Sequence, residues 1–189
     1  TTEAHIQKAQ AMGQLLKTLV PHLPEQPSLR LQLPNPSTDY EALQTLVSQV
    51  RDRLGVGAQA VLSYEHLLKE FESNGALIIP TLWGEKLNHK NALHILLPDQ
   101  SVTFVYLNLD TRQEDFKFWM AHELAHVFTT ELAGKDEGED FADAFAGALL
   151  FPKAQAQLAY EHLVVLNKTQ QLVQLKQIAA DTGISLFSV

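Results

Sequence analysis

Two histidines and a glutamate stand in the run His122-Glu123-Leu124-Ala125-His126. On an α-helix, positions i and i+4 lie nearly above one another, about 6 Å apart along the axis. Two imidazoles at that spacing can close on one divalent cation at about 2.0–2.1 Å each. Glu123 projects toward the edge of such a site. There a carboxylate can take a proton from water on the metal, since zinc lowers the pKa of that water from near 16 to about 7. The residue types therefore suggest His122 and His126 as metal ligands and Glu123 as the proton acceptor.

A catalytic zinc takes a third protein ligand and keeps one position open. The stretch Glu139-Asp140-Phe141-Ala142-Asp143-Ala144-Phe145-Ala146 offers Glu139 and Asp143, again at i and i+4. Small residues at Ala142, Ala144, Ala146, Gly147 and Ala148 let this second helix approach the first closely, which a ligand crossing between helices requires. Glu139 is expected as the third ligand. Asp143, one turn on, is expected to accept the free N–H of a ligating histidine, His122 in preference to His126. Glu137 is the rival ligand but lacks an acid one turn later. The plainer reading makes Glu139 one of several acids, with Asp136, Glu137 and Asp140, that favour the positive end of a helix. Tyr106, His94 and Tyr160 are candidate donors to an oxyanion, and the sequence does not choose among them. Zinc is the expected ion, with manganese a competitor, because a His/His/Glu set accepts several divalent metals.

The elements that must hold these residues can be read from hydrophobic period and caps. Residues 3–20 have a helical pattern, with Ile6, Leu15, Leu16 and Leu19 near one face. Pro21, Pro24, Pro27, Pro34 and Pro36 then mark an extended linker. A helix is expected from Thr38, with Thr38 and Glu41 as a capping box and Gly55 as its stop. Another is expected over 63–73, closed by Asn74 and Gly75. Residues 76–82, 93–97 and 102–109 read as short strands of a small antiparallel sheet, separated by turn formers such as Gly84, Asn88, Asn91, Pro98 and Asp99. The strand 102–109 could offer an edge to an extended peptide; the alternative is an internal strand. Thr111 and Glu114 form a further capping box before the motif helix, expected to run to about Leu132 and stop near Gly134. Phe116, Met120, Leu124, Val127 and Phe128 can occupy its core side. The second ligand helix is expected over 137–151, ended by Pro152, and two helices over 158–189. The expected organisation is an N-terminal helix and Pro-rich arm over 1–36, a catalytic unit over 37–156 and a C-terminal helical segment over 157–189.

Hydrophobic residues make up 46% of the 189 residues and charged residues 19%, enough for a core that needs no staple to fold. The net charge of −8, with no Lys/Arg run, argues against tight non-specific binding of nucleic acid. There are no cysteines, which excludes disulfides, Cys-ligated zinc and a cysteine nucleophile and fits a cytoplasmic setting. No apolar run approaches the length of a membrane span.

The spacing His122–His126, then Glu139-x-x-Ala142-x-x-Phe145-Ala146-x-x-Leu149-Leu150-x-Pro152, resembles the ImmA/IrrE family of zinc metallopeptidases, whose pattern is H-E-x-x-H followed by E-x-x-A-x-x-F-A-x-x-L-L-M-P. Val50-Arg51-x-x-Leu54-Gly55, Asn74-Gly75 and Tyr106-Leu107-Asn108 extend the likeness upstream. Glu139-x-x-x-Asp143 also matches the Glu-x-x-x-Asp arrangement of thermolysin-like enzymes. The departures are Ala125 for a common Gly, Phe151 for Met and Asp143 where many members carry Asn. The resemblance implies an α+β zincin-like domain, with a small antiparallel sheet packed on the motif helix and a second ligand-bearing helix. It implies an endopeptidase whose protein substrate is a helix-turn-helix transcriptional repressor, acting in stress response or mobile-element regulation. Residues 172–185 resemble the first helix and turn of a helix-turn-helix. That segment reads as structural, because the chain is acidic. Two other readings stay open: a non-catalytic sensor module on the same fold, and a toxin-type hydrolase.

Overall fold

The computed structural model describes residues 2–23, 30–82, 92–97, 102–110 and 113–186. Among these the chain forms α1 (Thr2–Leu19), α2 (Tyr40–Arg53), α3 (Tyr64–Ser73), β1 (Ala76–Thr81), β2 (Ala92–Leu97), β3 (Val102–Asn108), α4 (Gln113–Phe128), α5 (Asp136–Leu150), α6 (Lys153–Leu163) and α7 (Lys168–Thr182). The class is α+β. None of the described helices is long and apolar enough to cross a membrane.

Helix ends follow local chemistry. The cap of α2 is Asp39 rather than Thr38: its carboxylate accepts from the Ala42 N–H at 3.0 Å. An aspartate is the stronger N-cap of the two neighbours. Gly55 takes φ +70° just past the end of α2, a left-handed turn that a side chain would oppose. Ser63 caps α3, with His66 completing a reciprocal box. The expected Thr111–Glu114 box and the turn formers Gly84, Asn88, Asn91, Pro98 and Asp99 lie outside the described residues. Helix α4 ends at Phe128, short of Leu132. Thr129 leaves helical geometry while its hydroxyl donates to the Ala125 carbonyl at 2.8 Å, and the Leu33 N–H donates to the Phe128 carbonyl at 3.1 Å. A 3-10 turn, Thr130–Leu132, then leads to α5.

The sheet is mixed, where an antiparallel one was expected. Its order is β1-β3-β2, with β3 antiparallel to β2 and parallel to β1. The chain runs up β1 and down β2, then inserts β3 between them, so β3 must run parallel to the first strand. The stretch expected over 102–109 therefore supplies the central strand, Val102–Asn108, and not a peptide-accepting edge. The backbone groups of a central strand face neighbours on both sides, and β1 and β2 are the edges.

Alternation along β3 sorts two cores. Val105 and Leu107 join the main core with α2, α3, α4 and α5, whereas Val102 and Phe104 face the other side with Leu16 of α1, Ile95 and Leu97. The N-terminal helix thus covers the far face of the sheet. Leu33 is 4% exposed and belongs to the main core, so the extended run after the prolines is anchored there.

Helix α4 is sunk in this core. Met120, Leu124, Val127 and Phe128 are buried, as expected of its core side, but Ala121 and Ala125 are buried too. Helix α5 packs along it through Phe141, Ala142, Phe145, Ala146 and Leu149, all nearly inaccessible, with Phe128 and Phe145 ring to ring at 6.0 Å. Buried Arg51 fixes the far end of α5 by donating to the Leu149 carbonyl at 2.6 Å and to the carbonyls of Gly57 and Ala60. The C-terminal segment is docked on α4. Buried Lys117 donates to the Thr182 carbonyl at 2.6 Å, where cations suit a helix C-terminus, and Ile184 enters the main core.

Candidate metal centre

One turn of α4 carries both histidines to one face. His122 Nε2 and His126 Nε2 are 3.1 Å apart, with ring centroids 4.8 Å apart. The first turn of α5 brings Glu139 across: its Oε2 is 3.5 Å from His122 Nε2 and its Oε1 is 3.6 Å from His126 Nε2. Three ligands of a tetrahedral zinc at about 2.0–2.1 Å stand about 3.3–3.4 Å from one another. The carboxylate reaches the two imidazoles through different oxygens, and with one ligand atom taken from each residue the three lie within 4.8 Å of one another, close enough to converge on one small cation. His122, His126 and Glu139 are the group of metal-type side chains that converges among the described residues. Burial depresses the pKa of His126, and the neighbouring His122 and His94 add to this against the pull of Glu123 and Glu139. A neutral imidazole is the form that ligates metal. Glu137, the rival ligand, is outside the converging group.

Asp143 stands one turn beyond Glu139, with Oδ1 2.9 Å from His122 Nδ1. The contact turns Nε2 of His122 toward His126 and Glu139. Acceptors in this position fix the tautomer of a ligating histidine and raise its basicity. Asp143→Ala is accordingly expected to weaken zinc binding by about 10–100-fold without unfolding the protein, measured by competition with a zinc chelator. Unchanged affinity would remove Asp143 from the site.

Glu139 depends on the glycine before it. Gly138 is buried, and a Cβ there would lie 2.6 Å from the Leu132 carbonyl oxygen and 3.1 Å from its Cβ. Backbone cannot yield as a flexible side chain can. Gly138→Ala must displace the first turn of α5 and is expected to cost roughly 1–3 kcal/mol in thermal unfolding of the metal-free protein. Wild-type stability in that variant would show that the turn has room to spare.

Glu123 faces the same space, its side chain 8% exposed, and its Oε2 lies 2.5 Å from His94 Nε2. Burial works to raise its pKa, but the His94 imidazole and the charges of His94, His122 and His126 outweigh that and hold it below the ordinary carboxylate value. Of the three oxyanion candidates, only His94 is here. Tyr106 sits on the α1 side of the sheet, and Tyr160 is exposed on α6, away from the lining of the cleft. The cleft itself measures about 610 Å³ and is lined by Ala92, Leu93, His94 and Leu96 of β2, Trp119 and the motif residues of α4, and Glu139. Sequence reading missed Trp119, whose ring centre is 5.1 Å from that of His122. Its position three residues before His122 on a helix is the signal that could have found it.

A small mixed sheet laid against an H-E-x-x-H helix, with an acid supplied by the next helix, defines a zincin-like domain of the metallopeptidase type. Residues 83–189 match Peptidase_M78, the IrrE N-terminal-like domain, and the chain belongs to that family. Comparison with curated proteins finds no match.

Proposed function

We propose that this chain is a zinc-dependent endopeptidase that cuts a helix-turn-helix transcriptional repressor. The observation carrying the catalytic half is the convergence of His122, His126 and Glu139 within reach of one cation, with the Glu123 carboxylate beside them in an open cleft. His122, His126 and Glu139 would hold the zinc, which would supply Lewis acidity toward water and the scissile carbonyl. Glu123 accepts the proton of the attacking water and passes it to the leaving amine. Asp143 keeps His122 oriented. The peptide lies along β2, the edge strand that lines the cleft, so that its backbone extends the sheet.

The substrate half rests on the family likeness: members of the ImmA/IrrE type trigger repressor cleavage in stress responses or mobile-element induction. The test is incubation of the zinc-loaded protein with helix-turn-helix repressors encoded near its gene, followed by intact mass measurement. A discrete pair of fragments, absent with a chelator, supports the reading. Repressors left whole under conditions where zinc is bound count against it.

A further inference from the structure

His94 lies on the edge strand β2, opposite the other edge β1, at the register position of Val105 and on the sheet face that meets α4. Its side chain is 23% exposed, its Nε2 lies 2.5 Å from Glu123 Oε2, and its ring stands edge-on to His126 at 5.6 Å between centroids. It is not part of the converging ligand group. Among the described residues, His94 makes the one ion-pair contact of Glu123.

A glutamate acting as a base must present one oxygen to the attacking water in a fixed direction. Its side chain has three soft torsions, and a 1 Å error costs heavily in rate. A histidine has two torsions, and this one springs from a strand paired along β3. We propose that His94 is the positioning residue for Glu123: its Nε2–H holds Oε2 and so leaves Oε1 turned toward the metal site. The 2.5 Å contact does not meet hydrogen-bond geometry in this structure. Catalytic hydrogen bonds are often bent before substrate arrives and tighten in the complex. His94 acts through Glu123 and forms no bond to the substrate, which separates it from an oxyanion donor. The inference deepens the peptidase reading and rests on it.

Two measurements test it separately from that reading. The first needs no substrate. His94 Nε2 is shut off from solvent, so its proton should give a slowly exchanging, downfield NMR signal in the zinc-loaded, 15N-histidine-labelled protein. The signal should be lost in Glu123→Ala and kept in Asp143→Ala. Its persistence in Glu123→Ala would overturn the proposal even if the chain cleaves nothing. The second is kinetic, on the repressor that the wild type cuts. His94→Phe should lower kcat by about 100-fold or more, with KM within about twofold, zinc content unchanged and His94→Gln recovering to within about tenfold of wild type. Placed on Glu123→Asp, His94→Phe should cost less than about threefold more, because one interaction cannot be lost twice. Losses that multiply would make His94 an independent donor and overturn the positioning role.

Discussion

Glu123→Gln is expected to lower peptidase turnover by about 10²–10⁴-fold while zinc stays bound. The two halves of that result have separate causes. Glutamine keeps the size of the side chain and still offers an oxygen to His94, so the buried pocket is not emptied. It cannot accept a proton. In the wild type burial works to raise the pKa of this carboxylate, but the contact with His94, together with the neighbouring His122 and His126, holds it below the ordinary carboxylate value. It therefore begins the reaction in the form a base requires. Zinc retention follows because Glu123 is not in the ligand group formed by His122, His126 and Glu139. The variant separates the peptidase from the sensor-module reading. If Glu123→Gln restores function in cells lacking the wild type, catalysis is not the function.

Glu139→Ala is expected to weaken zinc binding by more than about 100-fold, beyond what loss of a supporting carboxylate costs. Two imidazoles then remain, and the crossing from α5 to α4 is cut at its charged end. The fold has little reason to suffer. The Glu139 side chain is 64% exposed, and the α4–α5 contact is built from Phe141, Ala142, Phe145, Ala146 and Leu149. Thermal unfolding of the metal-free variant should match the metal-free wild type within about 0.5 kcal/mol. The contrast with Gly138→Ala, one residue earlier, is diagnostic: there the backbone is displaced and stability falls first. A Glu139→Ala variant that binds zinc as wild type does would pass the third ligand to another acid.

Much of this site was legible because its logic is local. The i, i+4 spacing of His122 and His126 fixes their common face on any helix, and Glu139 with Asp143 repeats that spacing on the next one. The small residues of α5 announce close approach, and Ala142 and Ala146 are indeed fully buried against α4. The sheet was less legible because strand pairing is long-range. Nothing in residues 76–108 says that the third strand enters between the first two, so the antiparallel reading and the edge role of 102–109 both failed together. His94 was visible only as one of three oxyanion candidates. Alternation along β2 sets it on a face with Ala92 and Leu96, but only the register with β3 aims that face at α4. Asp39 beside Thr38 shows the same limit on a small scale: two good caps sat together, and the stronger one won.

The most direct test of the metal centre is the metal content of the purified protein, read by elemental mass spectrometry after zinc reloading. The account predicts about one zinc per chain, held against dialysis, as a complete set of three protein ligands requires. Protein that remains free of zinc after reloading, while folded, would contradict it and leave a zincin-like fold without the chemistry.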